Sequence, residues 1–343
     1  MTTDMIEPTI PFAAMHKRLE QRNFELGLSE NPFPPLPSVL RALTDVMAHA
    51  NRYPEFLPER LPRIIANRVG VLPEQVVVGS GATGVAMQIM QAVMTRGDRI
   101  VYSLPNFDGY PIISSILGVR PTVVPIDTAG RQDLRRMARA IDRRTSAMVV
   151  CRPHNPTGTL VTATELDEFL AAVPRRVVVI LDEAYVEFVN AANAVDTHSL
   201  ISRYPNLVVL RTFSKAFGLA GLRIGYAFGA QELMEQIRRL QLPFGVNAAA
   251  VAAVSASYAA QRELADRVGR ITTEREYLRN ALLRAGIRVP RSYANFLYLQ
   301  GPNIAPRLAA AGIQAKAYPD GSARIAVGDP AASRAVLKAL GQH

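Results

Sequence analysis

Seven short apolar runs, rich in valine and isoleucine, recur between residues 76 and 228, at 76–78, 99–103, 122–125, 147–151, 177–181, 207–210 and 224–228. Stretches of helical period lie between several of them, at 83–94, 110–117, 132–141 and 164–172. Short β-branched strands alternating with helices predict an α/β fold, a mostly parallel sheet with helices on both faces. In such sheets a ligand sits beyond the carboxyl ends of the strands. The informative residues are therefore those just after each apolar run.

At 343 residues the chain has room for two domains. Residues 1–28 are expected to form an N-terminal arm with an amphipathic helix at 13–23. Residues 29–245 are expected to form the large domain. It opens on the proline-dense Ser29-Glu30-Asn31-Pro32-Phe33-Pro34-Pro35-Leu36-Pro37, which excludes regular structure, and continues into a helix at 38–49 with Ser38 as its N-cap. Residues 246–343 are expected to form a smaller α+β domain: an alanine-rich helical stretch beginning before it and running over 232–280, strands at 295–299 and 323–327, and a closing helix at 331–340.

Composition removes several classes of function. One cysteine, Cys151, permits no internal disulfide and fits a reducing, cytoplasmic setting. No apolar window is long enough to cross a membrane, and the N-terminus lacks the pattern of a signal peptide. Lys+Arg number 39 against 29 Asp+Glu, a net charge of +10 that invites a nucleic-acid partner. No basic stripe interleaved with aromatics accompanies it, and Arg131, Arg135 and Arg139 fall four apart on one solvated helix face. Neither a nucleic-acid nor a membrane partner is expected. The same count hides a scarcity: the only lysines are Lys17, Lys215, Lys316 and Lys338.

The strand ends carry distinctive chemistry. Gly79-Ser80-Gly81-Ala82-Thr83-Gly84 follows the first run and could cradle a phosphate, form a plain tight turn, or belong to a nicotinamide site. A nicotinamide site also needs an acid at the end of the next strand, and Val101-Tyr102-Ser103-Leu104 has none. Phe107, in Leu104-Pro105-Asn106-Phe107-Asp108-Gly109-Tyr110, could stack on a planar ligand or fill the core. In Arg152-Pro153-His154-Asn155-Pro156-Thr157-Gly158 two prolines fix a turn around the Asn155 amide. Asp182, in Asp182-Glu183-Ala184-Tyr185, is either a helix cap or a carboxylate aimed at a ligand. Lys215 is the one lysine just past a strand of the main sheet, with Thr212 and Ser214 before it and Arg223 eight residues later. Pyridoxal 5′-phosphate would use this whole set, because its aldehyde needs an amine, its ring nitrogen a carboxylate, and its phosphate N–H groups, hydroxyls and arginine.

These motifs, with Asn51-Arg52-Tyr53-Pro54 and Arg324-Ile325-Ala326-Val327-Gly328, run in order over nearly the whole chain. Together they resemble the fold type I, class I/II pyridoxal-phosphate aminotransferases, above all the histidinol-phosphate aminotransferase subgroup. The stretch Ser214-Lys215-Ala216-Phe217-Gly218-Leu219-Ala220-Gly221-Leu222-Arg223 is the most specific. The resemblance implies that Lys215 bonds the cofactor's aldehyde and later shuttles the substrate proton. It implies Asp182 at the ring nitrogen, Asn155 and Tyr185 at the phenolic oxygen, and Phe107 on the ring. Gly81, Ala82, Thr83, Thr212, Ser214 and Arg223 would hold the phosphate, and Tyr53 would reach the cofactor of a partner subunit in a homodimer. Arg324 would grip the substrate's acidic group, with Asn31 and Lys316 also on the substrate side.

The chain departs from the subgroup at Gly84, where an acid is usual, at Phe107, usually tyrosine, and at Lys316, usually a second arginine. The expected activity is transfer of an amino group from an amino acid or an amino-phosphate donor resembling histidinol phosphate to a 2-oxo acid such as 2-oxoglutarate. The alternatives are an aromatic amino acid aminotransferase and a threonine-phosphate-type decarboxylase on the same scaffold.

Overall fold

The computed structural model describes residues 24–341. The expected helix at 13–23 and most of the arm lie outside them. In chain order the strands are β1 (Phe24–Glu25), β2 (Val76–Ser80), β3 (Arg99–Leu104), β4 (Arg120–Pro125), β5 (Thr145–Cys151), β6 (Val178–Asp182), β7 (Leu207–Thr212), β8 (Ile224–Gly229), β9 (Phe296–Leu299), β10 (Ile313–Gln314), β11 (Lys316–Ala317) and β12 (Ala323–Ala326). The first helices are α1 (Pro37–Met47), α2 (Arg60–Val69), α3 (Gly81–Val93), α4 (Gly109–Leu117), α5 (Leu134–Arg139) and α6 (Ala163–Ala172). They are followed by α7 (Thr197–Arg203), α8 (Gln231–Arg238), α9 (Ala248–Ala259), α10 (Gln261–Arg284), α11 (Ile304–Ala310) and α12 (Pro330–Ala339).

All the expected apolar runs join one seven-stranded sheet in the order β2-β8-β7-β6-β5-β3-β4. It is parallel except for β8, which runs against β2 and β7. Alternation assigns its two faces. Val78, Val101, Met148, Val150, Val179, Leu181 and Val209 enter one buried cluster. Val77, Ile100, Tyr102, Val149, Ile180, Val208 and Leu210 enter the other. A sheet buried on both faces is what makes its strands apolar throughout.

Two local expectations change. Ser38 does not cap α1. Leu36 takes the N-cap position, Pro37 the first helical position, and the Ser38 hydroxyl bonds Glu263 on α10. Residues 60–69, given no element by sequence periodicity, form α2. Its Pro62 sits in the first turn, where a missing N–H is harmless, and Gly70 closes the helix at φ 76°.

A third cluster gathers Leu278, Leu282, Leu297, Leu299, Ile325 and Val336. Leu26, from the expected arm, is buried in it, and β1 pairs in parallel with β10. Ala250, Ala253 and Val254 of α9, beyond the expected boundary at 245, are buried instead in the first cluster under the large sheet. In the small sheet, order β11-β12-β9, the antiparallel register sets Lys316 opposite Arg324.

Candidate active site

A cavity of about 500 Å³ opens at the carboxyl ends of the parallel strands. Ala82, Thr83, Phe107, Asn155, Asp182, Tyr185, Thr212, Ser214, Lys215, Arg223, Lys316 and Arg324 all line it. Residues up to 242 positions apart in the chain thus share one wall system, because the parallel strands deliver their last residues to one edge, antiparallel β8 starts there, and the small sheet faces it.

One end of the cavity is suited to an anion. The α3 N-terminus carries no side-chain cap, so its first N–H groups are free. The Thr212 hydroxyl donates to Ser214 Oγ at 3.0 Å, and both side chains are buried. Gly81, at φ 70°, does not line the cavity; it lies behind the Arg223 guanidinium, and a Cβ there would come within 2.3 Å of Nη2. A Cβ on Gly225 would meet the Ala82 nitrogen at 2.2 Å. Glycine at both places lets the arginine and the helix start close together.

The middle of the cavity holds a carboxylate. Asp182, the last residue of β6, is buried, and burial pushes its carboxyl pKa up. Two donors oppose that shift: Tyr110 Oη to Oδ2 at 2.7 Å and the Ala184 N–H to Oδ1 at 3.1 Å. Asp182 therefore both caps the following turn and faces the cavity. Tyr110 is a site residue that sequence reasoning missed. Its signal was its spacing, one helical turn after Phe107 at the start of α4. Phe107 meets Tyr110 edge-on at 5.8 Å, and a Cβ on Gly109 would strike the Phe107 ring at 2.2 Å.

Lys215 projects into the same space. Nζ donates to the Leu28 and Ser29 carbonyls at 3.2 and 3.1 Å and lies 5.7 Å from the Tyr185 ring centroid. Burial, and then the Arg324 charge, hold the amine down at about 8. A neutral, nucleophilic amine is thus accessible at moderate pH. Asn31 does not line the cavity. Its amide donates to the Lys215 and Ala216 carbonyls at 2.9 and 3.0 Å, clamping the lysine loop from behind.

Arg324 reaches across from β12. Nη1 donates to Asn155 Oδ1 at 2.7 Å and Nη2 to the Gly27 carbonyl, while the buried Nε has no partner. The Asn155 amide donates to Tyr185 Oη at 3.4 Å, and burial pushes that phenol up to about 12. His154, held at about 3 by burial, sits neutral between Ser103 and Thr157. At the mouth Lys316 forms an ion pair with Asp108. Tyr53 stands outside, 84% exposed, its ring tilted 36° against Phe244 at 4.8 Å between centroids.

The family described as aminotransferase class I and II matches residues 22–340. The chain belongs to the class I and II aminotransferases. An aromatic amino acid aminotransferase of Cutibacterium acnes is 42% identical over 322 residues, covering 93% of this chain and 92% of that protein. One of Rhodococcus opacus is 42% identical over 317 residues, covering 91% and 88%. Among solved structures, the histidinol-phosphate aminotransferase of Sinorhizobium meliloti in complex with pyridoxal 5′-phosphate superposes with a TM-score of 0.87 at 28% identity, covering 96% of this chain and 93% of that one.

The residues of this aminotransferase fit pyridoxal 5′-phosphate. The uncapped helix start, paired hydroxyls and Arg223 suit a phosphate, and the two glycines let Arg223 and the helix start approach each other. A buried carboxylate faces the cavity for a ring nitrogen, and an amine of lowered pKa faces it for an aldehyde.

Proposed function

We propose that this aminotransferase takes an aromatic amino acid as donor, with 2-oxoglutarate as the acceptor. The observation that carries this reading is the Asp108–Lys316 ion pair. A phosphate, which carries up to two negative charges, draws on two cations, and Lys316 is already paired with Asp108. The curated relatives at 42% identity bear the aromatic name, whereas the neighbour named for histidinol phosphate is 28% identical. The donor resembling histidinol phosphate, expected from sequence, therefore gives way to the aromatic alternative.

Pyridoxal 5′-phosphate is the cofactor; when bound, it supplies an aldehyde for the donor's amino group and a ring that withdraws electrons from the bond being broken. In our reading Ala82, Thr83, Thr212, Ser214 and Arg223 hold its phosphate, with Gly81 giving Arg223 its room. Asp182, which accepts a hydrogen bond from Tyr110, binds the ring nitrogen. Asn155 and Tyr185 bind the phenolic oxygen, and Phe107 covers the ring. Arg324 orients the donor's carboxylate through its fork, and Lys215 moves the proton at the donor's Cα. On the substrate side the cavity is lined by Leu28, Tyr318 and the Lys316–Asp108 pair.

A homodimer belongs to the same proposal. Tyr53, Phe56, Leu242 and Phe244 form an exposed apolar group, and Tyr53 would reach the partner's cofactor phosphate. Cytoplasmic residence rests on the one free, buried thiol, Cys151. The donor reading is tested by kcat/KM for phenylalanine, tyrosine, histidinol phosphate and phosphothreonine with 2-oxoglutarate. Phenylalanine and tyrosine are expected to lead by tenfold or more; histidinol phosphate in first place would overturn it.

A further inference from the structure

The active-site cavity continues into a second chamber of about 450 Å³, and Asn106, Asp108, Lys316 and Tyr318 line both. The walls that only the second chamber has are mostly apolar. Leu104 ends β3, Pro111 lies in the first turn of α4, and Tyr298, Ala317 and Pro319 come from the small domain. Tyr298 is buried and meets Tyr318 edge-on at 5.3 Å between ring centroids. The one charge these walls add is Asp320, and its carboxylate already accepts bonds from the Ser322 N–H and hydroxyl. Concave, apolar and aromatic walls of this kind favour a planar apolar group over a charged one. The chamber is also placed for the donor. Lys316 faces Arg324 in antiparallel register, and side chains so paired lie about 5 Å apart. The chamber therefore begins one strand's width from the arginine assigned to the donor's carboxylate, which is the reach of a benzyl side chain.

We propose that this second chamber is the subsite for the donor's aromatic side chain. The proposal rests on the aromatic-donor reading and names where the ring sits. With the carboxylate on Arg324 and the Cα beside Lys215, the side chain passes the methylene stem of Lys316, whose ammonium Asp108 keeps paired, and its ring lies among Leu104, Pro111, Tyr298 and Tyr318. The acceptor, 2-oxoglutarate, has no ring and stays in the first cavity on the same arginine. Both half-reactions thus share one carboxylate anchor, and only the aromatic partner uses the second chamber.

The test uses the loaded enzyme and follows each half-reaction separately by the cofactor's absorbance, with phenylalanine or glutamate as donor. Ala317→Trp and Leu104→Trp each fill the chamber from a residue that does not line the first cavity. Each is expected to lower kcat/KM for phenylalanine by about tenfold, through KM, and to leave glutamate within about twofold. Leu104→Ala adds no bulk and keeps the test alive if tryptophan spoils the fold. It widens the chamber and is expected to raise kcat/KM for tryptophan relative to phenylalanine by about threefold. Unchanged phenylalanine kinetics in both tryptophan variants, equal losses for phenylalanine and glutamate, or an unmoved ratio in Leu104→Ala would each overturn the proposal. Wild-type enzyme preferring histidinol phosphate defeats the donor reading itself, whereas a phenylalanine preference untouched by either tryptophan variant defeats only the role of the chamber.

Discussion

The two walls of the cavity are built differently. The wall formed by the large sheet is made of strand-end residues that are buried and bonded to one another: Asp182 to Tyr110, Thr212 to Ser214, Asn155 to Tyr185. The facing wall is assembled from the segment at 27–30, from Asp108 and from the small sheet at 316–324, and it is more open: Leu28 is 72% exposed. Preorganised dipoles are worth most where water is excluded, so the first wall suits bond-making chemistry. The second is held by partly exposed charges and single contacts, and suits discrimination among ligands.

The largest expected effect falls on the first wall. Lys215→Ala should abolish turnover, a loss of at least the roughly 10²–10⁴ assigned to positioned proton transfer, and borohydride treatment of the loaded wild type should attach the cofactor to Lys215 in peptide maps. Attachment at Lys316 would reverse the roles of the two walls. Asp182→Asn should retain cofactor and lose roughly 10²–10³ in kcat, measured in single turnovers. Unchanged turnover would remove the electrostatic argument for the buried carboxylate.

Tyr110→Phe should cost about tenfold, the worth of one hydrogen bond to a charged group. It should also move the acid limb of the kcat/KM profile. Burial raises the Asp182 pKa and the phenol opposes it, so without the phenol the carboxylate takes up a proton at higher pH and activity falls earlier on acidification. A limb that stays in place would reduce Tyr110 to packing.

The smallest effect crosses between the walls. Cofactor capture by the apoprotein, followed by absorbance, should rise as pH passes through about 8, where Lys215 loses its proton. The folded chain releases that proton below the ordinary 10.5, so between those values the unfolded chain holds more protons and stability rises with pH. Arg324→Leu removes a like charge and should move the midpoint upward, while burial, the larger cause, remains.

How far the site was legible follows from where its partners lie. Lys215, Asp182 and Asn155 could be found because each stands at or just past an apolar run, and a parallel sheet brings all such ends to one edge. Tyr110 was missed because its partner lies 72 residues away, and nothing in a helix start announces a buried carboxylate. Asn31 was assigned to the substrate side on its place in the proline-rich segment. Its amide instead finds the Lys215 carbonyl 184 residues on. Helix α2 escaped notice because its proline, Pro62, masks a helical period that packing supports.

The chain's own order of residues determined the layered sheet, through short apolar runs alternating with stretches of helical period. It also singled out the reactive amine, through the scarcity of lysine. Tertiary structure alone decided which charges are cancelled. Lys316 meets Asp108 208 positions away, and Lys215 meets the Ser29 carbonyl 186 away. Electrostatic energy depends on separation through space and on local burial, and neither is carried by position along the chain.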